Sequence, residues 1–328
     1  MIEKEKVDYT SKALQEGEFW GQVTREALEH GVPPWVDRRQ SHGFRRERSG
    51  PFDDIAVAEI LSGEDIEFLL RRATEVQGGK VLDLGCGSGW LSLELARRGL
   101  HVEGVDLAEE GIRIAQTYAD TNSSTEGFGS AMYRVADLNS IEIEPAKYDV
   151  IIAHAALHHV LELERLFQQV ASGLKPGGQF LSLDDVAHAP RRVQFIMAIF
   201  YLLVPNNLHF WQRGRRLYQR LTKKLPLYRA EELSKEIREV SPFEAVQGPE
   251  IIPLVRKYFA VERIERRIAF VEFAAFHLSR GSGWCHRHRY GILKILARLD
   301  RVLVRCRLLP GKSALIVARK QSALGGTA

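Results

Sequence analysis

Between residues 81 and 183 the apolar positions fall into five short runs, each closed by glycine, an acid or a turn. Val81, Leu82 and Leu84 form the first, and Gly85, Gly87 and Gly89 follow it directly. His101–Asp106, Tyr133–Leu138, Tyr148–Ala153 and Gln179–Leu183 repeat the pattern. Runs of this length bounded by turn signals read as buried strands. Helical patterns lie between them. One begins near Ser88 and carries Leu91, Leu93, Leu95 and Ala96, and the next begins near Glu109. Strands alternating with helices predict a parallel, doubly wound α/β sheet.

The flanks read differently. Residues 1–55 predict an N-terminal helical extension: Ser11–Glu29 is helical with Phe19 and Trp20 as an aromatic anchor, and Gly31-Val-Pro-Pro-Trp35 stops it. Asp37–Arg48 is a basic, polar loop, and a helix over Ile55–Ala73, either continuous or interrupted at Gly63, leads into the first strand. After Leu183 the spacing turns mostly helical to residue 250, punctuated by Pro205, Pro226 and Pro242. Ile251–Tyr258 is a further helix, and Ala260–Ile268 and Ser313–Ala318 are strands.

Composition adds bounds. The chain has 328 residues, 45% hydrophobic and 27% charged, which suits a globular enzyme with a full core. Cys86, Cys285 and Cys306 form no C-x-x-C pair, so a reducing compartment is expected rather than a disulfide framework. The charged start, Met1-Ile-Glu-Lys-Glu-Lys6, lacks an apolar signal core, which points to the cytoplasm. The longest apolar run, 195–204, is too short to span a bilayer.

The first strand and its glycines carry the chemistry. Strand, glycine turn and helix N-terminus together make a site for a nucleotide-like cofactor. The dinucleotide fingerprint is G-x-G-x-x-G. Here the third glycine arrives one residue early, at Gly89. Asp83 sits two residues before the first glycine, where its charge repels a pyrophosphate and suits a cationic end such as an amino acid ammonium. Asp106 follows Gly85 by 21 residues, the distance at which a βαβ unit places an acid on ribose hydroxyls; the alternative is a cap on the next helix.

Val81-Leu-Asp-Leu-Gly-Cys-Gly-Ser-Gly89 resembles the first motif of class I S-adenosylmethionine-dependent methyltransferases, and the Leu174-Lys-Pro-Gly-Gly178 turn and Leu157-His-His159 are similar to their small-molecule, quinone-pathway-like branch. The resemblance implies a seven-stranded Rossmann-like methyltransferase sheet whose last two strands pair antiparallel, with an N-terminal helical extension and helical lid insertions. It covers about residues 55–186 in detail. It divides the chain into a cofactor-binding core at 56–186, a lid at 187–250, and a C-terminal completion at 251–328 with an insertion at 269–310. It places Asp83, Gly85, Cys86, Gly87, Gly89, Asp106, Leu107, Asp137, Leu138 and His154 around S-adenosylmethionine, with Asp137 on the adenine amino group and Leu138 near its ring.

Catalytic candidates are His154, His158, His159 and Asp184. The histidines follow strand four, beside the methyl group by resemblance, and histidine titrates near neutrality. His158 as a base oriented by an Asp is the specific expectation; capping or packing is the alternative for His158 and His159, and capping the lid helix for Asp184 and Asp185. No metal is expected: histidines stand where catechol-type members carry carboxylates, and Arg287 and Arg289 repel a cation from Cys285-His286-Arg-His288.

The lid reads as apolar and basic. Val186–Ala230 holds no acid, and Arg191, Arg192, Arg213, Arg215, Arg216, Arg220, Lys223, Lys224 and Arg229 flank the apolar run and Phe210-Trp211. It suits a lining for a greasy, anionic small-molecule acceptor, peripheral membrane contact through 195–224, or an ordinary solvated face. Oxygen is the first acceptor atom expected, then nitrogen or carbon. A net charge of only +4 and His154-Ala-Ala-Leu157 in place of Asn-Pro-Pro-aromatic argue against nucleic acid. An RNA or protein methyltransferase, a non-catalytic cofactor-binding partner subunit and a homodimer stay open.

Overall fold

The computed structural model describes residues 2–44, 52–187, 191–203, 210–222, 241–243, 247–279 and 283–321. The strands are β1 (Lys80–Leu84), β2 (His101–Asp106), β3 (Ser130–Val135), β4 (Tyr148–His154), β5 (Leu174–Asp185), β6 (Phe259–Arg267) and β7 (Ser313–Lys320). They form one sheet in the order β3-β2-β1-β4-β5-β7-β6. β3, β2, β1, β4 and β5 pair in parallel, and β7 runs antiparallel to both β5 and β6. The seven-stranded Rossmann-like sheet expected from the sequence is therefore present.

Alternation along the strands builds two cores. Leu82, Leu84, Ile151, Ala153, Phe180 and Ile316 point to one face, where Phe167 and Phe259 join them. Val81, Val150, Ile152, Leu181, Leu183, Leu315 and Val317 point to the other. Period-two side chains on strands buried on both faces produce these near-continuous apolar runs. α5 (Leu163–Gly173) and α8 (Ile251–Tyr258) cover the first face. α2 (Ile55–Ala73) and α3 (Trp90–Ala96) cover the second.

Several boundaries differ from the sequence reading. β3 ends at Val135, so Asp137 and Leu138 lie in the turn after it. β5 begins at Leu174 because that residue already pairs with Tyr148, which absorbs the Lys-Pro-Gly-Gly segment into the strand. α2 runs unbroken through Gly63. α3 starts at Trp90, with Gly89 as its N-cap at φ 86°.

The remaining helices are α1 (Ile2–Leu28), α4 (Glu109–Asn122), α6 (Arg191–Leu203), α7 (Phe210–Thr222), α9 (Val271–Ser279), α10 (Gly283–Arg287) and α11 (Arg289–Arg305). Val193 and Met197 of α6 pack with Phe270, Phe273 and Val304, so the helices after β5 and those between β6 and β7 share one apolar cluster. Lys223, Lys224, Arg229, Pro205 and Pro226 of the expected lid lie outside the described residues. No described helix is long and apolar enough to cross a membrane.

Candidate active site

The C-terminal ends of β1, β2 and β4 converge on the glycine turn. The N–H groups of Gly85 and Cys86 both donate to the Val105 carbonyl, at 2.8 and 3.0 Å, locking the turn to β2. Gly85 sits at φ 68° and Gly87 at φ 54°, backbone that L side chains rarely adopt. A Cβ at Gly85 would lie 2.3 Å from the Ala156 Cβ, whereas one at Gly87 would meet nothing within 4 Å. The first glycine is thus a packing requirement and the second faces open space that a ligand can approach.

Asp106 reads the turn from β2. Its Oδ2 accepts the Gly87 N–H at 2.8 Å and its Oδ1 the Ala108 N–H at 2.8 Å. Ala108, not Asp106, is the N-cap of α4. Each oxygen keeps a lone pair for a diol, so the acid matches a ribose. Asp83 lies beneath the turn, 1% exposed, with Ser92 Oγ donating to it at 2.6 Å. Burial raises its pKa to about 7 against the pull of the Ser92 hydroxyl, and the nearby charge of Asp106 adds to the rise. Cys86 is buried, and that burial pushes its thiol well above the ordinary range, so it packs rather than reacts. Leu138 approaches the turn to 3.8 Å from the Gly85 Cβ position, and Leu107 presents its carbonyl to Gly17. Asp137 accepts the Tyr9 hydroxyl and the Asn139 N–H, the latter at 2.9 Å.

The histidines separate into three environments. His158 Nδ1 lies 2.6 Å from Asp184 Oδ1, and both residues are buried. Asp184 Oδ2 accepts the Ala156 and Leu157 N–H groups at 2.9 and 2.8 Å, and Oδ1 accepts that of Asp185 at 2.8 Å. Burial alone would raise its pKa, but His158 and these donors hold it below the usual carboxylate range. Asp184 therefore organises the loop after β4. His154 meets the Trp90 ring edge-on at 5.3 Å, and the Arg38 guanidinium stacks 3.9 Å from the same ring. Burial first, and the Arg38 charge second, push the His154 pKa down to about 4. His159 Nδ1 lies 3.2 Å from Glu16 Oε1, and its ring centroid is 4.2 Å from that of His158.

The cover over this site is α1, an element read from sequence only as an extension. Tyr9 reaches Asp137, Glu16 reaches His159, and Thr24 Oγ1 accepts from Ser88 Oγ at 3.1 Å. Gly17 and Gly21 allow the close approach, since Cβ atoms there would lie 2.9 Å from the Leu107 carbonyl and from Glu110. The segment before α8 reinforces it: Ser241 Oγ donates to Glu16 at 2.7 Å and Phe243 stacks on Tyr9 at 5.7 Å. Tyr9, Glu16, Thr24 and Arg38 have no local motif. The one hint was Phe19-Trp20, and Trp20 does donate to Glu16 at 3.0 Å. Among the described residues no group of three or more His, Cys, Asp or Glu side chains converges as a metal site.

A family profile described as a methyltransferase domain matches residues 58–240. The chain belongs to the methyltransferase family. Its methyl donor is S-adenosylmethionine. The open face of Gly87, whose N–H is held by the Asp106 carboxylate, fits this donor, which carries a ribose. This methyltransferase is 30% identical over 192 residues to the ubiquinone biosynthesis O-methyltransferase of Leptothrix cholodnii, a match over 56% of this chain and 73% of that enzyme. It is 37% identical over 141 residues to the enzyme of that name from Xanthomonas euvesicatoria pv. vesicatoria, over 42% and 57% of the two chains. The match to the human mitochondrial ubiquinone biosynthesis O-methyltransferase is 32% over 142 residues, 42% of this chain and 37% of that one. Geranyl diphosphate C-methyltransferase from Streptomyces coelicolor A3(2) shares the fold, with a TM-score of 0.55 at 15% identity over 94% of this chain and 98% of that one.

The titration of Asp83 has a consequence for donor binding. A cation near the turn favours the carboxylate over the acid. Donor affinity is expected to rise as pH increases through about 7, with protons released on binding. Calorimetry in buffers of different ionisation enthalpy measures that release, and Asp83→Asn should remove it. Identical proton counts in wild type and variant would sink the assignment.

Proposed function

We propose that this methyltransferase acts on a ring hydroxyl of an apolar, quinone-type small molecule. The His158–Asp184 pair after β4 is the observation that carries this reading. The names of the relatives support an oxygen acceptor. Asp106 and the open turn at Gly87 would hold the donor's ribose side, Asp137 and Leu138 its adenine side, and Asp83 would favour its positive charge. Bound S-adenosylmethionine supplies an electrophilic methyl group, which the acceptor oxygen takes while sulfur keeps the bonding electrons.

A phenolic oxygen must lose its proton to become an effective nucleophile. Asp184 Oδ1 accepts at His158 Nδ1, which makes Nδ1 the protonated nitrogen and Nε2 the basic one. The acceptor's proton would pass to Nε2, and the ionised Asp184 would stabilise the imidazolium that results. His154, with its pKa near 4, stays neutral but is a weak base. His159 and Glu16 close the other side of the Leu-His-His turn beneath α1.

We take residues 56–186 as the donor-binding core and 187–250 as the acceptor-side insertion. Exposed Phe195, Ile199 and Leu203 on α6 and Trp211 on α7 support peripheral membrane contact through 195–224 in the cytoplasm. The test is methylation of a prenylated catechol by the full chain with S-adenosylmethionine. A methoxy product in the mass spectrum, faster with the prenyl tail than without it, is the expected outcome. Methylation of bulk RNA or protein instead, or donor binding with no turnover on catechols, phenols or cell extract, would overturn the reading.

A further inference from the structure

α11 carries an apolar stripe that nothing among the described residues covers. Ile295, Leu299 and Val302 follow one another at helical spacing and are 67, 48 and 55% exposed. The opposite side of the helix is firmly seated. Leu293 and Val304 are buried, Arg301 pairs with Glu64, and the buried Asp300 carboxylate accepts the N–H groups of Ala269, Phe270 and Val271. These anchors fix the roll of α11, so the stripe cannot turn inward.

Cations line one flank of the stripe. Lys294, Arg298 and Arg305 are all exposed and have no acidic partner among the described residues. On the wheel of an α-helix they share a side, about 60–100° from the centre of the stripe. Asp300, buried and engaged, is the one acid between Arg280 and Lys312. On the other flank, Leu296 and Leu303 pack against the cluster that holds α6. At the helix ends Trp284 and Leu308 are again exposed, each 61%.

We propose that this face of α11 is a docking surface for an anionic lipid bilayer. The helix would lie in the headgroup plane with Ile295, Leu299 and Val302 toward the acyl chains and the three cations on lipid phosphates. Both halves of the surface are then satisfied at once. A nucleic acid would meet the cations and leave the aliphatic stripe in water. A second copy of the chain would cover the stripe and leave the cations without counter-charge. The surface lies on a different element from the 195–224 segment and does not depend on which acceptor is methylated.

Co-sedimentation of the full chain with vesicles tests this. Wild type is expected to bind phosphatidylglycerol–phosphatidylcholine vesicles and not pure phosphatidylcholine, with binding falling as salt rises. K294E/R298E/R305E should weaken partitioning at least about 100-fold, from roughly fivefold per cation lost. I295E/L299E should weaken it at least about tenfold. All these positions are exposed, so donor binding by calorimetry should match wild type and report intact folding. Equal binding to neutral vesicles, no vesicle binding, or binding unchanged in both variants overturns the proposal. A dimer in solution that I295E/L299E converts to monomer overturns it as well, in favour of self-association.

Discussion

His158→Ala is expected to lower kcat by about 10²- to 10⁴-fold while leaving donor affinity within about twofold. The size follows from losing a positioned base. The selectivity follows from Asp184, which keeps the backbone N–H groups of Ala156, Leu157 and Asp185 when the imidazole is gone. The bonds to Ala156 and Leu157 hold the loop after β4, so the donor pocket survives the substitution. Asp184→Asn is the complementary case. An amide can still accept one backbone donor but cannot stabilise an imidazolium, and kcat should again fall with a smaller change in KM. The pH profile separates the histidines. Burial pushes the His154 pKa down to about 4, so an acid limb at higher pH belongs to another group; with donor saturating, which removes the Asp83 effect on binding, such a limb should vanish in His158→Ala. Single-turnover rates at saturating acceptor measure all of this. An unchanged rate in His158→Ala would remove the base from the mechanism.

Gly85→Val is expected to abolish donor binding and to destabilise the fold by about 2–6 kcal/mol, from backbone strain and overpacking together. Its φ of 68° disfavours a β-branched residue. Its Cβ would also be 2.3 Å from that of Ala156, which the Asp184 carboxylate and the end of β4 prevent from moving away. Gly87→Ala provides the contrast. No atom lies within 4 Å of its Cβ position, so stability should change only by the strain of a positive φ while the donor loses its approach to the turn. Thermal unfolding and calorimetry with S-adenosylhomocysteine measure the two effects separately. A Gly85→Val protein that melts like wild type would contradict the packing seen at the turn.

Much of the donor side was legible along the chain because its signals are local. The strand, the glycines at alternate positions and Asp106 one crossover later lie within 26 residues of Val81, and their geometry follows from turn chemistry and period-two burial. Boundaries were less legible where pairing decides them. Leu174 joins β5 because Tyr148 lies beside it, and Asp137 falls outside β3 because pairing with β2 stops at Val135.

The acceptor side was decided by contacts distant in sequence. His158 and Asp184 stand 26 residues apart, on the loop after one strand and the end of the next, and only the parallel register of β4 and β5 brings them to 2.6 Å. Asp184 looked equally suited to capping a helix. Glu16 meets His159 and Tyr9 meets Asp137 because α1 folds back across the open ends of the strands. An amphipathic helix states which face it will bury but not against what. The sequence by itself therefore determined the donor and the sheet that presents it, through local backbone chemistry and side-chain period. The tertiary structure alone decided which histidine gains a carboxylate, which helix closes the site, and which face of α11 stays bare, because packing between remote elements settles each of these.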